Sequence, residues 1–369
     1  MPLVPDMNGP DNTGCSPATV TQQNGRRWSC ADGYLREAVR RPSLTVFPNT
    51  LTQRITLSNG RATGVVCSTR QGRRQQLTAR RDVILSAGAI GSPQLLMLSG
   101  IGDPDHLDDM RIAPQARLPG VGQGLQDHLS VPLIVRCPQP VTLINARSLR
   151  ALATYVLRRR GPLTSNIGQA AGFTHTAPGL PGPDVELIFL LVPVVTDGRR
   201  LPTEHGFTIS AVLLQPNSRG CILLRRRDPA APPKIDPRYL TDRAGEDLNT
   251  LVRGVRKAQA LLESSALAPY TGAPWFPELS TTDESSVARH IRRTAETTHH
   301  PVGTCRMGTG DEAVVDSQLR VHGIDGLRIV DASVMPRIPR GHTHAPTVMI
   351  AERAADLIRA GSQTPRAPA

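Results

Sequence analysis

The stretch that decides the fold runs Asp82-Val83-Ile84-Leu85-Ser86-Ala87-Gly88-Ala89-Ile90-Gly91-Ser92-Pro93-Gln94-Leu95-Leu96-Met97-Leu98-Ser99-Gly100. Its apolar run at 82–86 predicts a short buried strand. Ser92 suits the N-cap of a following helix, Pro93 its first position and Gly100 its C-terminal end. A strand, a turn of small residues and a helix N-terminus allow a backbone to approach a nucleotide closely, although ordinary strand–helix packing through glycine explains the same pattern.

The segment before this stretch predicts a small antiparallel sheet. The first thirty residues are irregular, and a short helix is expected at 31–40. Apolar runs then predict strands at residues 44–47, 51–57, 62–69 and 76–79. Because Asn59-Gly60 is a hairpin turn signal, a β-meander is the economical arrangement.

The middle of the chain, from about residue 130 to 290, has a different character. It predicts strands at 131–135, 185–192, 208–214 and 221–224, and helices at 147–160 and 244–264. This pattern is typical of a sheet-plus-helix domain inserted between two halves of another domain. Further on, 327–330 predicts a strand with Asp331 at its carboxyl end, where ligands bind in open α/β sheets. Residues 347–359 predict a helix with one apolar face.

Composition excludes several classes of protein. The 369 residues allow two or three domains, and the net charge of +12 comes almost entirely from dispersed arginine. Without interleaved aromatics, these arginines indicate solvated surfaces and not a nucleic-acid partner. No apolar run is long enough for a membrane span, and no secretory signal opens the sequence, so a cytoplasmic protein is expected. Six scattered cysteines without a CxxC pair predict reduced thiols and no zinc site.

Two histidine-bearing loops are the clearest chemical signal. They read His299-His300-Pro301-Val302-Gly303-Thr304-Cys305-Arg306-Met307-Gly308 and Gly341-His342-Thr343-His344-Ala345-Pro346-Thr347. Histidine is the side chain best able to take and return a proton near neutral pH. Two such loops can place two imidazoles on one side of a flat cofactor. His342 and His344 lack the carboxylate or cysteine partners of a metal site, and no metal is expected.

Together these motifs resemble the glucose-methanol-choline (GMC) family of FAD-dependent oxidoreductases, and in particular its choline-dehydrogenase-like members. The resemblance rests on residues 88–102, 118–128, 216–220 and 307–358, with Gly124 standing where the family usually has Asn. It implies a mixed α/β (α+β) fold, with an FAD-binding domain of glutathione-reductase type and a substrate domain built on an antiparallel sheet.

The resemblance also predicts domain boundaries. They are 1–130 for the remainder of an N-terminal FAD-binding region, 131–290 for the substrate-binding domain, 291–360 for the return to the FAD-binding domain, and 361–369 for a tail. The family's N-terminal βαβ unit with Gly-x-Gly-x-x-Gly has no counterpart here. Gly308–Ala313 fits those letters but precedes no helix, so the match is accidental. The FAD-binding domain is therefore expected to be incomplete in this sequence.

The family's site residues carry over by motif. His300 takes the position of the catalytic base, and His344 that of its hydrogen-bonding partner. The resemblance assigns adenine contact to Leu51 or Thr52, adenosine contact to Ala87 and Gly88, ribityl-phosphate contact to Asp331 and Ala332, and contact under the flavin ring to His344, Ala345, Pro346 and Thr347. The helix that follows would stabilise negative charge on the reduced flavin.

The implied activity is oxidation of a small-molecule alcohol to an aldehyde or ketone, with hydride passing to flavin N5 and the hydroxyl proton to His300. A quinone or oxygen would be the electron acceptor. Two alternatives stay open: a truncated remnant that no longer binds FAD, and a lyase that acts on hydroxynitriles without net redox. The scattered aromatics do not indicate a choline-binding cage, so the sequence does not name the alcohol.

Overall fold

The computed structural model describes residues 1–194, 203–276 and 283–363. Its strands are β1 (Gly14–Pro17), β2 (Gln22–Gln23), β3 (Arg26–Arg27), β4 (Thr50–Ser58), β5 (Arg61–Thr69), β6 (Arg74–Thr78), β7 (Val83–Leu85), β8 (Ile101–Gly102), β9 (Ala116–Arg117), β10 (Gln123–Leu125), β11 (Leu129–Arg136), β12 (Gly168–Thr174), β13 (Val185–Leu190), β14 (Gly206–Leu213), β15 (Gly220–Leu223), β16 (Lys234–Asp236), β17 (Glu296–Thr297) and β18 (Leu327–Ile329). Its helices are α1 (Arg36–Ala38), α2 (Gly88–Leu98), α3 (Pro104–Asp109), α4 (Leu149–Arg158), α5 (Glu246–Leu262), α6 (Glu284–Thr294) and α7 (His344–Gln363). The mixed α/β class with antiparallel sheets is confirmed.

The chain folds into two compact units, each assembled from three segments. The first unit contains Met1–Val46, Leu129–Leu214 and Ala244–Thr298. The second contains Phe47–His128, Gln215–Arg243 and the residues from His299 onward. Compact units are not the same as family domains, so the boundaries after 130 and 290 stay a prediction. In the described residues of both units, no helix is long and apolar enough to cross a membrane.

A six-stranded antiparallel sheet organises the first unit. Its strand order is β1-β12-β13-β14-β11-β17. The central strands β11 and β14 pair over eight residues and are buried along nearly their whole length. Helix α5 packs on this sheet through Leu251, Val255 and Ala258. It approaches closely because Gly254 has no side chain: a Cβ there would lie 3.2 Å from the methyl groups of Val185.

The second unit joins an antiparallel meander to a short parallel pair. Strands β4, β5 and β6 form the meander predicted around Asn59-Gly60. Strand β7 pairs in parallel with β18, and helix α2 follows β7 directly. The hydroxyl of Ser99 at the end of α2 donates to the Leu95 carbonyl and accepts from the Ile55 amide, which fixes the helix against the meander. Leu96, Met97 and the strand residues around them form the core.

Three local predictions are wrong. The first thirty residues are not irregular throughout, because they contain β1, β2 and β3. Residues 44–47 form no strand, because Leu44, Val46 and Phe47 are exposed and no neighbouring strand pairs with them. The β7 run is only partly buried: Val83 and Leu85 are in the core, whereas Ile84 is 44% exposed. An alternating pattern replaces the expected continuous burial because one face of β7 borders a cleft.

The two functional helices also begin earlier than predicted. Helix α2 starts at Gly88 and contains Pro93, so Ser92 is not its N-cap. Helix α7 starts at His344, three residues before the predicted Thr347. In both cases residues of the preceding turn are already helical. The predicted stop of α2 is confirmed, since Gly100 follows it with φ of +78°.

Candidate functional site

A short antiparallel bridge positions His300. Gln126 and Val302 exchange two backbone hydrogen bonds, of 3.0 and 2.9 Å. In an antiparallel pair, residues equally distant from a bridge lie opposite each other. His128 is two residues after Gln126 and His300 is two residues before Val302. The bridge therefore sets the two imidazoles side by side, although 172 positions separate them in the sequence.

Asp127 and His128 contact both the backbone and the ring of His300. Its ring Nδ1 lies 2.9 Å from Nδ1 of His128, and the two rings meet edge to face. Its backbone amide donates to the Asp127 carboxylate at 2.9 Å. The other carboxylate oxygen of Asp127 accepts from the Tyr239 hydroxyl at 2.5 Å. Asp127 and His128 thus fix the backbone and the ring of His300 together.

The hydrogen bonds decide which nitrogen of His300 carries the lone pair. Nε2 of His128 lies 3.1 Å from the Pro339 carbonyl oxygen, which only accepts. Nε2 of His128 must therefore carry the proton, and in the neutral ring its Nδ1 is then the acceptor. That acceptor faces Nδ1 of His300, which must be the donor. The lone pair of neutral His300 is consequently on Nε2, the nitrogen that faces away from His128.

His300 is neutral at physiological pH. Its pKa is lowered from the ordinary 6.5 to about 3, chiefly by burial and then by the neighbouring imidazoles of His128, His342 and His299, while Asp127 acts in the opposite direction. In a half-buried imidazole surrounded by other imidazoles, the loss of hydration and the like charges disfavour the charged form. The ring is therefore held in the only form that accepts a proton.

The second histidine loop contributes His342 before His344. The ring of His342 packs edge to face on His300, with centroids 4.9 Å apart. His344 is exposed at the start of α7, and no hydrogen bond or ring contact joins it to His300 among the described contacts. On the other side, His299 has a left-handed backbone (φ +61°), which is uncommon outside glycine and turns the chain just before His300.

Thr304 and Pro93 connect the histidine loop to α2. Pro93 lies inside the helix and has no N–H for the carbonyl of Ala89, four residues earlier. The buried hydroxyl of Thr304 donates to that carbonyl at 2.6 Å. A proline in one motif and a threonine in the other therefore satisfy one buried polar group. Cys305 beside it is fully buried, and burial raises the pKa of its thiol, which fits a packing role.

Asp331 fastens the start of α2 to the end of β18. One carboxylate oxygen accepts from the Gly88 amide at 3.0 Å and from the Ser92 hydroxyl at 2.6 Å. The other accepts from the Ser333 amide at 2.8 Å. Hydrogen bonds to a buried charged group each contribute about 1.5 to 3 kcal/mol. The Ser92 hydroxyl therefore donates to Asp331, and it accepts from the Ala87 amide at 3.2 Å.

A cleft of about 600 Å³ lies beside β7 and the meander. Its lining includes Leu51 and Thr52, which are predicted to contact adenine, and Ala87, which is predicted to contact adenosine. The remaining predicted cofactor residues lie outside its lining: Gly88, Asp331, Ala332, His344, Ala345, Pro346 and Thr347. Gly88 has φ of +80°, and a Cβ there would meet nothing within 4 Å, so the turn after β7 opens into space.

These residues fit part of FAD. The exposed side chains of Leu51 and Ile84 give the cleft apolar surface, and backbone segments border it, as a purine ring requires. The N-terminus of α7 offers positive partial charge near the histidine loop. No glycine-rich phosphate loop between a strand and a helix occurs in residues 1–194, 203–276 and 283–363 apart from the turn at Gly88. The cleft therefore suits a purine ring, and the assignment of individual residues to FAD stays a prediction.

Three residues of the site were not predicted from the sequence: Asp127, His128 and Tyr239. The first two end the quoted stretch 118–128, and an adjacent acid and histidine after a glycine-rich segment is the signal that was available. Tyr239 carries no such signal, since a single tyrosine in a loop is usually unremarkable.

Comparison with known protein families decides the relationship. The N-terminal and C-terminal family models of GMC oxidoreductases match residues 1–130 and 216–351. The chain belongs to the GMC oxidoreductase family. The predicted resemblance is confirmed, and enzymes of this family are FAD-dependent. The match covers both histidine loops, the Gly88 turn and the Asp127-His128 pair.

Several GMC relatives are similar over nearly the whole chain. An uncharacterized GMC-type oxidoreductase of Mycobacterium tuberculosis is 44% identical over 353 residues, which are 95% of this chain and 66% of the relative. An alcohol dehydrogenase [acceptor] of Pseudomonas putida is 37% identical, covering 96% of this chain and 65% of its own. Choline dehydrogenases are 37% to 38% identical. The chain thus spans about two thirds of the length of these relatives.

Solved GMC structures share the fold. A formate oxidase of Aspergillus oryzae, studied for the modification of its FAD, superposes with a TM-score of 0.89 at 26% identity. The superposition covers 98% of this chain and 68% of the oxidase. The predicted fold class is confirmed by this similarity as well as by the sheets described above.

Proposed function

We propose that this chain takes part in the FAD-dependent oxidation of an alcohol to an aldehyde or ketone, with His300 as the general base. The observation that carries the proposal is the His128–His300 pair, which holds a neutral imidazole with its lone pair on Nε2. Relatives named alcohol dehydrogenase and choline dehydrogenase support the substrate class. A quinone or oxygen would take up the electrons afterwards.

The reaction removes two hydrogens from the alcohol, a hydride from the carbon and a proton from the hydroxyl oxygen, and passes them to two different acceptors. Bound FAD would supply the acceptor for the hydride that leaves the carbon. Nε2 of His300 would accept the hydroxyl proton, so the alcohol loses two electrons and two protons in all. The hydrogen bond from the His300 amide to Asp127 would hold the backbone in place as the imidazolium forms.

Other residues would bind the alcohol and the cofactor. His344 at the start of α7 would hydrogen-bond the developing alkoxide, with Ala345, Pro346 and Thr347 under the flavin ring and the helix N-terminus stabilising negative charge. Leu51, Thr52, Ala87 and Gly88 would contact the adenosine. Asp331 and Ala332 would lie near the ribityl-phosphate, where Asp331 also fixes the Gly88 turn.

Flavin binding and reduction test the proposal. We expect the purified chain, incubated with FAD and desalted, to keep the flavin absorption bands. Anaerobic addition of an alcohol from a panel of aliphatic, aromatic and choline-like substrates should bleach them, and the matching aldehydes should not. A chain that stays colourless contradicts the proposal and favours the remnant. Bound flavin that no alcohol reduces, with cleavage of a hydroxynitrile, favours the lyase.

The rate of flavin reduction should not fall near pH 6.5, where an ordinary histidine becomes protonated. An ordinary histidine with pKa 6.5 is only about 10% neutral at pH 5.5, whereas one with a pKa of about 3 is more than about 99% neutral. Since the neutral form is the base, the reduction rate should stay level as pH falls from 8 to 5.5. Stopped-flow traces at saturating alcohol measure this. A rate that halves near pH 6.5 would show that His300 is not held neutral.

A further inference from the structure

Helix α4 in the first unit is oriented with its apolar face outward. Its exposed side chains are Leu149 (85%), Leu157 (81%), Val156 (61%) and Leu152 (50%). The buried residue of the helix is the small Ala151. Large apolar side chains normally supply the buried face of an amphipathic helix, and here they are the ones in contact with solvent.

Helix geometry shows that these side chains form one surface. At about 100° per residue, Leu149, Leu152 and Val156 fall on one side of α4, and Ala151 falls on the other. The turn Pro162–Thr164 packs against α4 and adds the exposed Leu163. We call Leu149, Leu152, Val156, Leu157 and Leu163 the α4 patch. Clustered exposed apolar side chains of this kind mark interaction surfaces.

The charged residues of α4 and of the segment that follows it are all positive. Arg150, Arg158, Arg159 and Arg160 are exposed on α4 and just after it, and the Arg159 guanidinium lies over the Tyr155 ring at 5.0 Å. From Leu129 to Pro183 the sequence contains no aspartate or glutamate. A second copy of this patch would bring like charges together. A partner surface that is both apolar and negatively charged could pack against the leucines and pair with the arginines.

We propose that the α4 patch binds the surface of an anionic phospholipid bilayer. Ten residues are about half of what a membrane span requires, so α4 would lie in the interface, with its leucines among the acyl chains and its arginines at the phosphates. Membrane contact goes beyond the proposed alcohol oxidation and does not depend on it. Its observations are confined to the first unit, whereas the histidine site is in the second.

Vesicle co-sedimentation of the 369-residue chain tests the proposal. We expect binding to phosphatidylcholine vesicles containing phosphatidylglycerol, little binding to phosphatidylcholine alone, and release by salt. Serine at Leu149, Leu152 and Val156 together should reduce binding by about tenfold or more. Serine at Arg158, Arg159 and Arg160 should reduce it by up to about a hundredfold, since each arginine near a charged surface contributes about fivefold.

A second run of three exposed arginines provides the matched control. Serine at Arg225, Arg226 and Arg227 removes the same charge from the other unit and should leave vesicle binding nearly unchanged. Equal loss in both triple variants would overturn the proposal in favour of unspecific attraction by net charge. Equal binding to neutral and anionic vesicles, or a dimer in solution that the serine variants at Leu149, Leu152 and Val156 dissociate, would also overturn it.

Discussion

Replacing His300 with alanine is expected to slow flavin reduction by an alcohol by about 10²- to 10⁴-fold, the range for removing a positioned general base. FAD binding should change little, because the cleft beside β7 contains no atom of this residue. Stopped-flow reduction of the FAD-loaded chain measures the rate, and the flavin bands measure the loading. Added imidazole should restore part of the rate, since it can accept the proton in the vacated space.

His322 offers a matched control for the His300 substitution. It is a half-buried histidine of the same unit whose Nε2 donates to the Gly308 carbonyl at 3.0 Å. Glutamine places an amide nitrogen near the same point, so His322→Gln keeps this bond and should reduce flavin at the wild-type rate. If His300→Ala keeps the wild-type rate while binding FAD, the assignment of the base is wrong.

Replacing His128 with phenylalanine is expected to cost about 10²- to 10⁴-fold in the same rate, although His128 itself does not take the proton. Phenylalanine keeps the ring but removes the acceptor for Nδ1 of His300. The proton of His300 is then no longer confined to Nδ1, and a base with its proton on Nε2 has no lone pair for the alcohol. A wrong histidine tautomer is costly in serine proteases for the same reason.

Asparagine at His128 distinguishes positioning from packing. Its Oδ1 stands near the place of Nδ1 and accepts a hydrogen bond, so His128→Asn should recover most of the rate that His128→Phe loses. The dissociation constant of the alcohol should stay the same in both variants, because only the proton-transfer step is affected. Equal losses in the two variants, with equal falls in melting temperature, would show that His128 only fills space.

Sequence and structure agree best where a motif is local. The meander around Asn59-Gly60, the strand β18 shortly before Asp331 and the histidine loop at His300 all follow from short-range patterns. His128 could not be assigned in this way, because its role depends on the antiparallel bridge between Gln126 and Val302. A register between segments so far apart in sequence is a property of the folded core.

Long-range hydrogen bonds also explain the incorrect helix start. Ser92-Pro93 is a good local signal for a helix N-terminus, yet α2 begins at Gly88. Two distant side chains remove the local constraint: Asp331 accepts from the Ser92 hydroxyl, and Thr304 satisfies the carbonyl that Pro93 leaves without an amide. Tertiary contacts therefore overrode a capping preference of about 1 kcal/mol.

The exposure of the apolar side chains of α4 could not be predicted from the sequence either. The sequence predicts a helix at 147–160, and α4 forms at Leu149–Arg158. A period of 3.6 residues does not indicate which face is turned to the protein. The structure leaves Leu149, Leu152 and Val156 at the surface.

The central claim is that His300 presents an unprotonated Nε2 because His128 accepts from its Nδ1. Nitrogen NMR of the chain labelled with ¹⁵N-histidine tests it most directly, since the two neutral tautomers give different ring-nitrogen shifts and two-bond proton couplings. The His300→Ala variant assigns the signals. We predict the ring proton on Nδ1 at pH 7, with no charging down to pH 5.5. A proton on Nε2, or an imidazolium in this range, would contradict the account.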